Sequence, residues 1–435
     1  MRSKLITAIL GSATLLVAPL GASAASDEQI RLLEQRMAEM EDRLEATSAE
    51  LNEEKKQNRQ QRDLLESAGL VEEGDDSLRS KIGSFFQMVD LTGNVASSYN
   101  YRFIDGGDED PFDGTDNGGA RNDSYFTHRN ADSFQLDQLW LTLDKAPTEE
   151  SRAGFHADLV WGETAESQSS GTRDPGLLYT GYVSYLAPIG NGVRIDAGKL
   201  ATVLGAEVLQ NNVNLNVTEG VVFQKLQPFT HSGVAATTQF TDNFGLVVGV
   251  VNEVYRDTAI SVDRDKAGYA QLRFSGDKAG INIGAIVGQD PTGATCDTSD
   301  DDCNTSVFDI TATFSPSDSF TGWINFDWVR SFGRDVNEGD KYGIATAGRF
   351  ALTDATGVGG RFEYLEQDGS VFGGGTNDQQ YITATGTIDH ALTEGLVIRG
   401  ELRYDRELEG DSRQFITSSG DRDSLAAIAQ MYYAF

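Results

Sequence analysis

From about residue 82 to its end the chain alternates apolar and polar residues with a period of two, the spacing of a β-strand whose two faces meet different surroundings. Val89, Leu91, Val95, Tyr99, Tyr101 and Phe103 share one parity, while Asp90, Thr92, Asn94, Ser98, Asn100 and Arg102 share the other. The split recurs at Phe155, Ala157, Leu159 and Trp161 against His156 and Asp158, and at Phe308, Ile310, Ala312 and Phe314 against Asp309, Thr311 and Thr313. The last stretch repeats it, with Leu425, Ala427, Ala429, Met431, Tyr433 and the terminal Phe435 on one side.

Two kinds of connection separate these stretches. Tight turns are predicted at 147–151, 188–192, 240–243, 276–280, 314–318, 352–354 and 392–395, and long polar loops at 105–132, 163–175, 201–231, 289–305 and 366–378. Short turns on one rim and long loops on the other are the signature of a membrane barrel, and seven turns imply about 16 strands. In lipid every backbone polar group must be paired, so closure is the solution open to an antiparallel chain. A soluble β-sandwich or β-propeller also alternates. Neither explains why aromatic residues crowd the strand ends, and a regular blade repeat is missing. The fold expected over 82–435 is therefore all-β and transmembrane, a closed antiparallel up-and-down β-barrel.

Upstream the period lengthens to steps of three and four. Ile30, Leu33, Met37, Met40, Leu44 and Leu51, with Thr47 filling the register, form a heptad seam, and no Gly or Pro interrupts residues 26–68. A coiled-coil helix over 25–68 would bury only this seam and would need partner copies, giving a dimer or a homotrimer. A single solvated helix rich in ion pairs is the competing reading. The seam weakens at Glu54, Asn58 and Gln61, where Lys55, Lys56, Arg59 and Arg62 cluster. Residues 69–81 read as an acidic linker. At the start, Arg2 and Lys4 precede the apolar stretch Leu5 to Leu20 and the small residues 21–25, which makes 1–24 a signal peptide rather than a membrane anchor. Export places the barrel in the bacterial outer membrane and the coil in the periplasm.

Composition then narrows the partners. Losing Arg2 and Lys4 takes the net charge from −32 to −34, which repels nucleic acid and anionic lipid surfaces. Past the signal no apolar run approaches the roughly 18–20 residues that a membrane helix needs. The expected surroundings are outer-membrane lipid and lipopolysaccharide.

If the polar parity faces the lumen, the pore-lining candidates are Arg194 and Asp196, Arg273, Asp309, Arg361 and Glu363, and Arg399, Glu401, Arg403 and Asp405. Ladders of both signs create a transverse field that filters ions and orients dipolar solutes. Interior salt bridging that stiffens the wall would use the same residues. The acidic excess suggests a mild preference for cations. Cys296 and Cys303 enclose an acidic loop and are expected to pair in an oxidising compartment, contributing roughly 2–3 kcal/mol. Those carboxylates could hold Ca²⁺, but they lack the EF-hand register, so a solvated loop is the simpler reading. The loop 201–231 is long and Asn-rich; it either folds inward and narrows the lumen or packs on the surface, and its sequence leaves both open. The histidines at 128, 156, 231 and 390 fall in no hydrolase or metalloprotease motif, so neither an enzyme nor a cofactor is expected.

The block from Gly181 to Val193 (GYVSYLAPIGNGV), then Ala197 to Leu200, the Asn-rich stretch leading to Gln227 to Val234 (QPFTHSGV), and Leu246 to Asn252 (LVVGVVN) resembles the OmpL-like beta-barrel porin family. The resemblance spans most of 82–435 and implies outer-membrane diffusion of small solutes, with no residue-level roles carried over. The N-terminal coil resembles those that some trimeric porins place in the periplasm. The function expected is passive diffusion of small hydrophilic solutes and ions. The alternative is a structural protein with a plugged barrel, whose coil tethers the outer membrane toward the cell wall.

Overall fold

The computed structural model describes residue 56 and residues 88–104, 127–128, 132–168, 176–255, 266–289, 304–332, 339–368, 378–409 and 422–435. The signal peptide 1–24, the seam from Ile30 to Leu51, the linker 69–81, and Cys296 and Cys303 lie outside the described residues.

The alternating stretches form sixteen strands. The first eight are β1 (Asp90–Ile104), β2 (Ser133–Lys145), β3 (Ala153–Trp161), β4 (Gly176–Ala187), β5 (Val193–Ala201), β6 (Thr230–Thr241), β7 (Phe244–Val251) and β8 (Ala267–Ser275). The rest are β9 (Ala279–Gln289), β10 (Asn304–Ser317), β11 (Phe320–Phe332), β12 (Gly339–Ala351), β13 (Thr356–Gln367), β14 (Gln379–Thr393), β15 (Leu396–Glu409) and β16 (Asp423–Ala434). Each pairs with its neighbour in sequence, and β16 returns to β1, so the sheet closes without an edge. Gly93 and Phe435 exchange backbone hydrogen bonds of 3.0 Å, so the last residue of the chain completes the seam.

All seven expected tight turns join strands on one rim, and every other connection starts and ends at the opposite rim. Three long connections, 252–266, 333–338 and 410–422, go beyond those the pattern marks.

The outer parity is apolar and open to the surroundings at Phe134, Val183, Val250, Phe362, Ile388 and Leu402. Such a continuous apolar surface fits the hydrocarbon of a bilayer rather than water. Aromatic pairs crowd both rims. On the turn side Phe244 stacks with Phe240 and Phe274 at 5.4 and 5.0 Å, and Phe314 with Phe320 at 5.9 Å. On the loop side Tyr99 meets Phe134 at 4.6 Å and Tyr101 meets Phe103 at 5.0 Å. These are the interfacial girdles of a membrane barrel.

The inner parity is not uniformly polar. Val247, Val251, Ile286, Val307, Val329, Ala345, Leu365 and Tyr381 are buried on it and join one apolar cluster with Leu204, Val221, Val222 and Leu226. Those last four belong to the connection between β5 and β6, so the core of this barrel lies in its lumen.

Candidate functional site

The connection 202–229 folds inward and crosses the bore. It carries a short 3-10 turn (Asn211–Val213) and one six-residue helix; counting the helix Glu163–Gln168 between β3 and β4 as α1, this one is α2 (Val221–Leu226). Six residues are too few to hold a helix by themselves, and α2 is held by its packing. Val222 and Leu226 seat against Gly343 of β12, where a side chain would collide with both. Phe223, with Leu209, joins Trp140, Val160 and Tyr179 on β2, β3 and β4. In a ring of sixteen strands β3 and β4 stand opposite β11 and β12, so α2 bridges the bore from wall to wall.

The polar anchoring is concentrated on β13 and β15. Glu363 accepts the amides of Val221 and Val222 at 3.2 and 3.1 Å, satisfying the first donors of α2 that would otherwise be orphaned, and also accepts the Thr383 hydroxyl at 2.7 Å. Glu401 accepts the amides of Val217 and Thr218 at 2.6 and 3.0 Å and the Thr218 hydroxyl at 2.6 Å. Arg399 donates to the carbonyls of Asn211 and Asn216, and Arg403 to that of Glu219 at 2.7 Å. Arg361 pairs with Glu207 of the segment at 2.6 Å and with Glu363 at 3.1 Å, and it also donates to the Thr218 carbonyl. Beyond β16 in the ring, Gln138 of β2 bonds the backbone of Leu209 and Asn211, and Asn94 of β1 meets Asn212 at 2.8 Å.

Two glycines permit this approach. Gly205 has φ +91°, a conformation costly for other residues, and lies against the Gln227 amide. At Gly220 a β-carbon would run into the carboxylates of Glu363 and Glu207. Burial pushes the Glu207 carboxyl up to about 7; the Arg361 charge opposes this and the Glu363 charge adds to it. Further along, Thr127 donates to Glu219 at 2.8 Å, and the buried His128 ring lies 3.4 Å from Asp137. Burial pulls His128 down, but Asp137 and Glu219 outweigh it and hold the ring above the ordinary histidine value.

The ten sequence candidates thus divide. Arg361, Glu363, Arg399, Glu401 and Arg403 are buried beneath the segment, as is Asp405, because the wall charges meet the segment's backbone instead of water. Asp309 is also buried, next to Asp327 of β11 at the facing register position, with the two carboxyls in contact. Asn325 donates to Asp309 at 2.6 Å and Gln227 of the segment to Asp327 at 2.9 Å. Arg194, Asp196 and Arg273 line a cavity of about 260 Å³ under the start of the segment. Patterning does not single out Glu207, Gln227 or Asp327. A signal was present: Glu207 and Glu219 are the only acids in 201–231, set against strands whose inner parity carries arginines.

Solved structures share the architecture. The anion-selective porin from Comamonas acidovorans superposes with a TM-score of 0.56 at 12% identity, covering 80% of this chain and 99% of that one. OprB of Pseudomonas putida gives 0.53 at 11% identity, covering 82% and 96%. The outer membrane channel DcaP of Acinetobacter baumannii gives 0.52 at 14% identity, covering 80% and 97%. At these identities the likeness establishes the fold alone. No curated protein sequence matches the chain at a significant level. The family described as "Putative beta-barrel porin-2, OmpL-like" matches residues 102–435, the greater part of the chain and nearly all of the barrel. With sixteen closed strands, an apolar belt between aromatic girdles and this match, the chain belongs to the OmpL-like outer-membrane beta-barrel porin family.

Proposed function

We propose that the protein is a narrow outer-membrane porin that passes small hydrophilic solutes and ions by passive diffusion, with the segment 202–229 setting the size limit. The observation that carries this reading is the crossing of the bore by α2, anchored through Glu363, Glu401 and Arg361. Mechanism here consists of shape and field. The wall arginines and carboxylates hold the segment, and the space beside it, where Arg194, Asp196 and Arg273 stand, is the polar path. The signal peptide 1–24, the periplasmic coiled coil 25–68 gathering three copies, and the Cys296–Cys303 disulfide belong to the same proposal.

The same bridging of the bore favours a second reading, a closed barrel that anchors the coil and ties the outer membrane toward the cell wall. Single-channel conductance of the purified mature protein in planar bilayers, with reversal potential under a salt gradient, separates the two. Stable small steps support the porin, and silence from well-folded, heat-modifiable barrels overturns it. Deleting residues 26–80 should leave the conductance per barrel unchanged if the coil only assembles or tethers.

A further inference from the structure

The 260 Å³ cavity lies in the turn-side half of the lumen, between the inner faces of β3 to β8 and Val203, where the end of β5 runs into the segment. Its charges are matched except one. Asp158 receives the hydroxyls of Thr142 and Thr180, each at 2.6 Å, and His156 at 3.0 Å. Asp196 is taken by Arg194 at 2.8 Å and by Ser184 at 2.5 Å. Arg273 differs. Its Nε donates to the neutral Gln271 Oε1 at 2.7 Å, and among the described residues no carboxylate pairs with it. Gln271 in turn donates to the Val203 carbonyl of the segment, so the guanidinium is held in place by a residue that is itself fixed. A cation aimed into a half-enclosed cavity without a counter-charge is a preorganised anion site, and the planar guanidinium suits a carboxylate. Leu200, Ala235, Val247 and Tyr269 supply apolar and aromatic surface to the same lining, beside Thr237 and the paired charges.

We infer that this cavity is a solute subsite for small monocarboxylates with an apolar body, the carboxylate resting on Arg273 and the body against Leu200, Ala235, Val247 and Tyr269. One unmatched cation selects one negative charge. The inference rests on the porin reading for its transport role, since a solute would reach the subsite while passing the segment.

Benzoate is the probe and benzamide its neutral counterpart, both added to channels of the wild-type protein, Arg273→Gln and Arg273→Lys in planar bilayers. Benzoate should reduce wild-type current in a concentration-dependent way while benzamide does not. Arg273→Gln should weaken the block at least tenfold and shift the reversal potential toward cations, with Arg273→Lys between. Equal block by the two probes, or undiminished benzoate block in Arg273→Gln, overturns the subsite. If the wild type carries no current the porin reading fails instead, and equilibrium dialysis of labelled benzoate against detergent-solubilised wild type and Arg273→Gln decides the subsite alone: arginine-dependent retention supports it and equal retention overturns it.

Discussion

Arg361 of the wall and Glu207 of the inward segment meet at 2.6 Å with both side chains almost wholly shielded from solvent. The pair ties β13 to a point 154 positions away in sequence, and Glu363 shares the same guanidinium at 3.1 Å. Buried ion pairs of this kind add little net stability over a well-packed apolar replacement, yet losing one partner strands the other charge. Their effect here is to fix where the segment sits.

Arg361→Ala leaves two carboxylates buried without their cation, a loss on the order of 3–5 kcal/mol. The expected result is a released segment: larger and noisier single-channel steps, and a lower temperature for heat modification on gels. The double variant Arg361→Ala with Glu207→Ala should recover part of that temperature. Unchanged conductance in the single variant would show that the segment is held without this pair.

Glu207 gives the anchoring a pH dependence. Its folded-state value of about 7 stands above the ordinary 4.5, so the native state favours the protonated form. The associated stability is fully present below pH 4.5 and is lost as pH rises through 7, by roughly 3 kcal/mol. Hydrogen exchange at 217–222 should therefore be slower at pH 5 than at pH 8, after correction for the intrinsic rate. Glu207→Gln should abolish the difference, and a difference that survives in that variant assigns the dependence elsewhere.

Gly220→Ala puts a methyl group into the carboxylates of Glu363 and Glu207. A cost of about 1–3 kcal/mol follows from overpacking, read as a lower unfolding temperature. Gly386→Ala is the control, because nothing lies within 4 Å of a β-carbon there. It should be neutral or slightly stabilising, since alanine has less backbone freedom to lose.

On the outer face, Ile344→Arg places a charge in the middle of β12, where the native side chain is 46% exposed to the membrane. A penalty of about 2–4 kcal/mol is expected near the bilayer midplane. Folding yield into vesicles measures it, and yields equal to those of Ile344→Thr would place this face away from lipid.

The sequence by itself determined the barrel. A strand's side chains alternate strictly, so Tyr99, Tyr101 and Phe103 reveal the lipid face, and turns as short as 242–243 leave the chain no choice but to reverse. The strand number followed from counting those turns. What the tertiary structure decided is the lumen. Whether 202–229 lies inside depends on contacts between Phe223 and β2 to β4, between Val222 and Gly343, and between Thr218 and Glu401, 183 positions apart. None of these leaves a periodic trace, because a segment without regular structure has no period to display. For the same reason parity could place Arg361, Arg273 and Glu401 on the inner wall without telling which would be enclosed by backbone and which would face open space. Parity reports direction, and only the folded chain supplies what each side chain meets there.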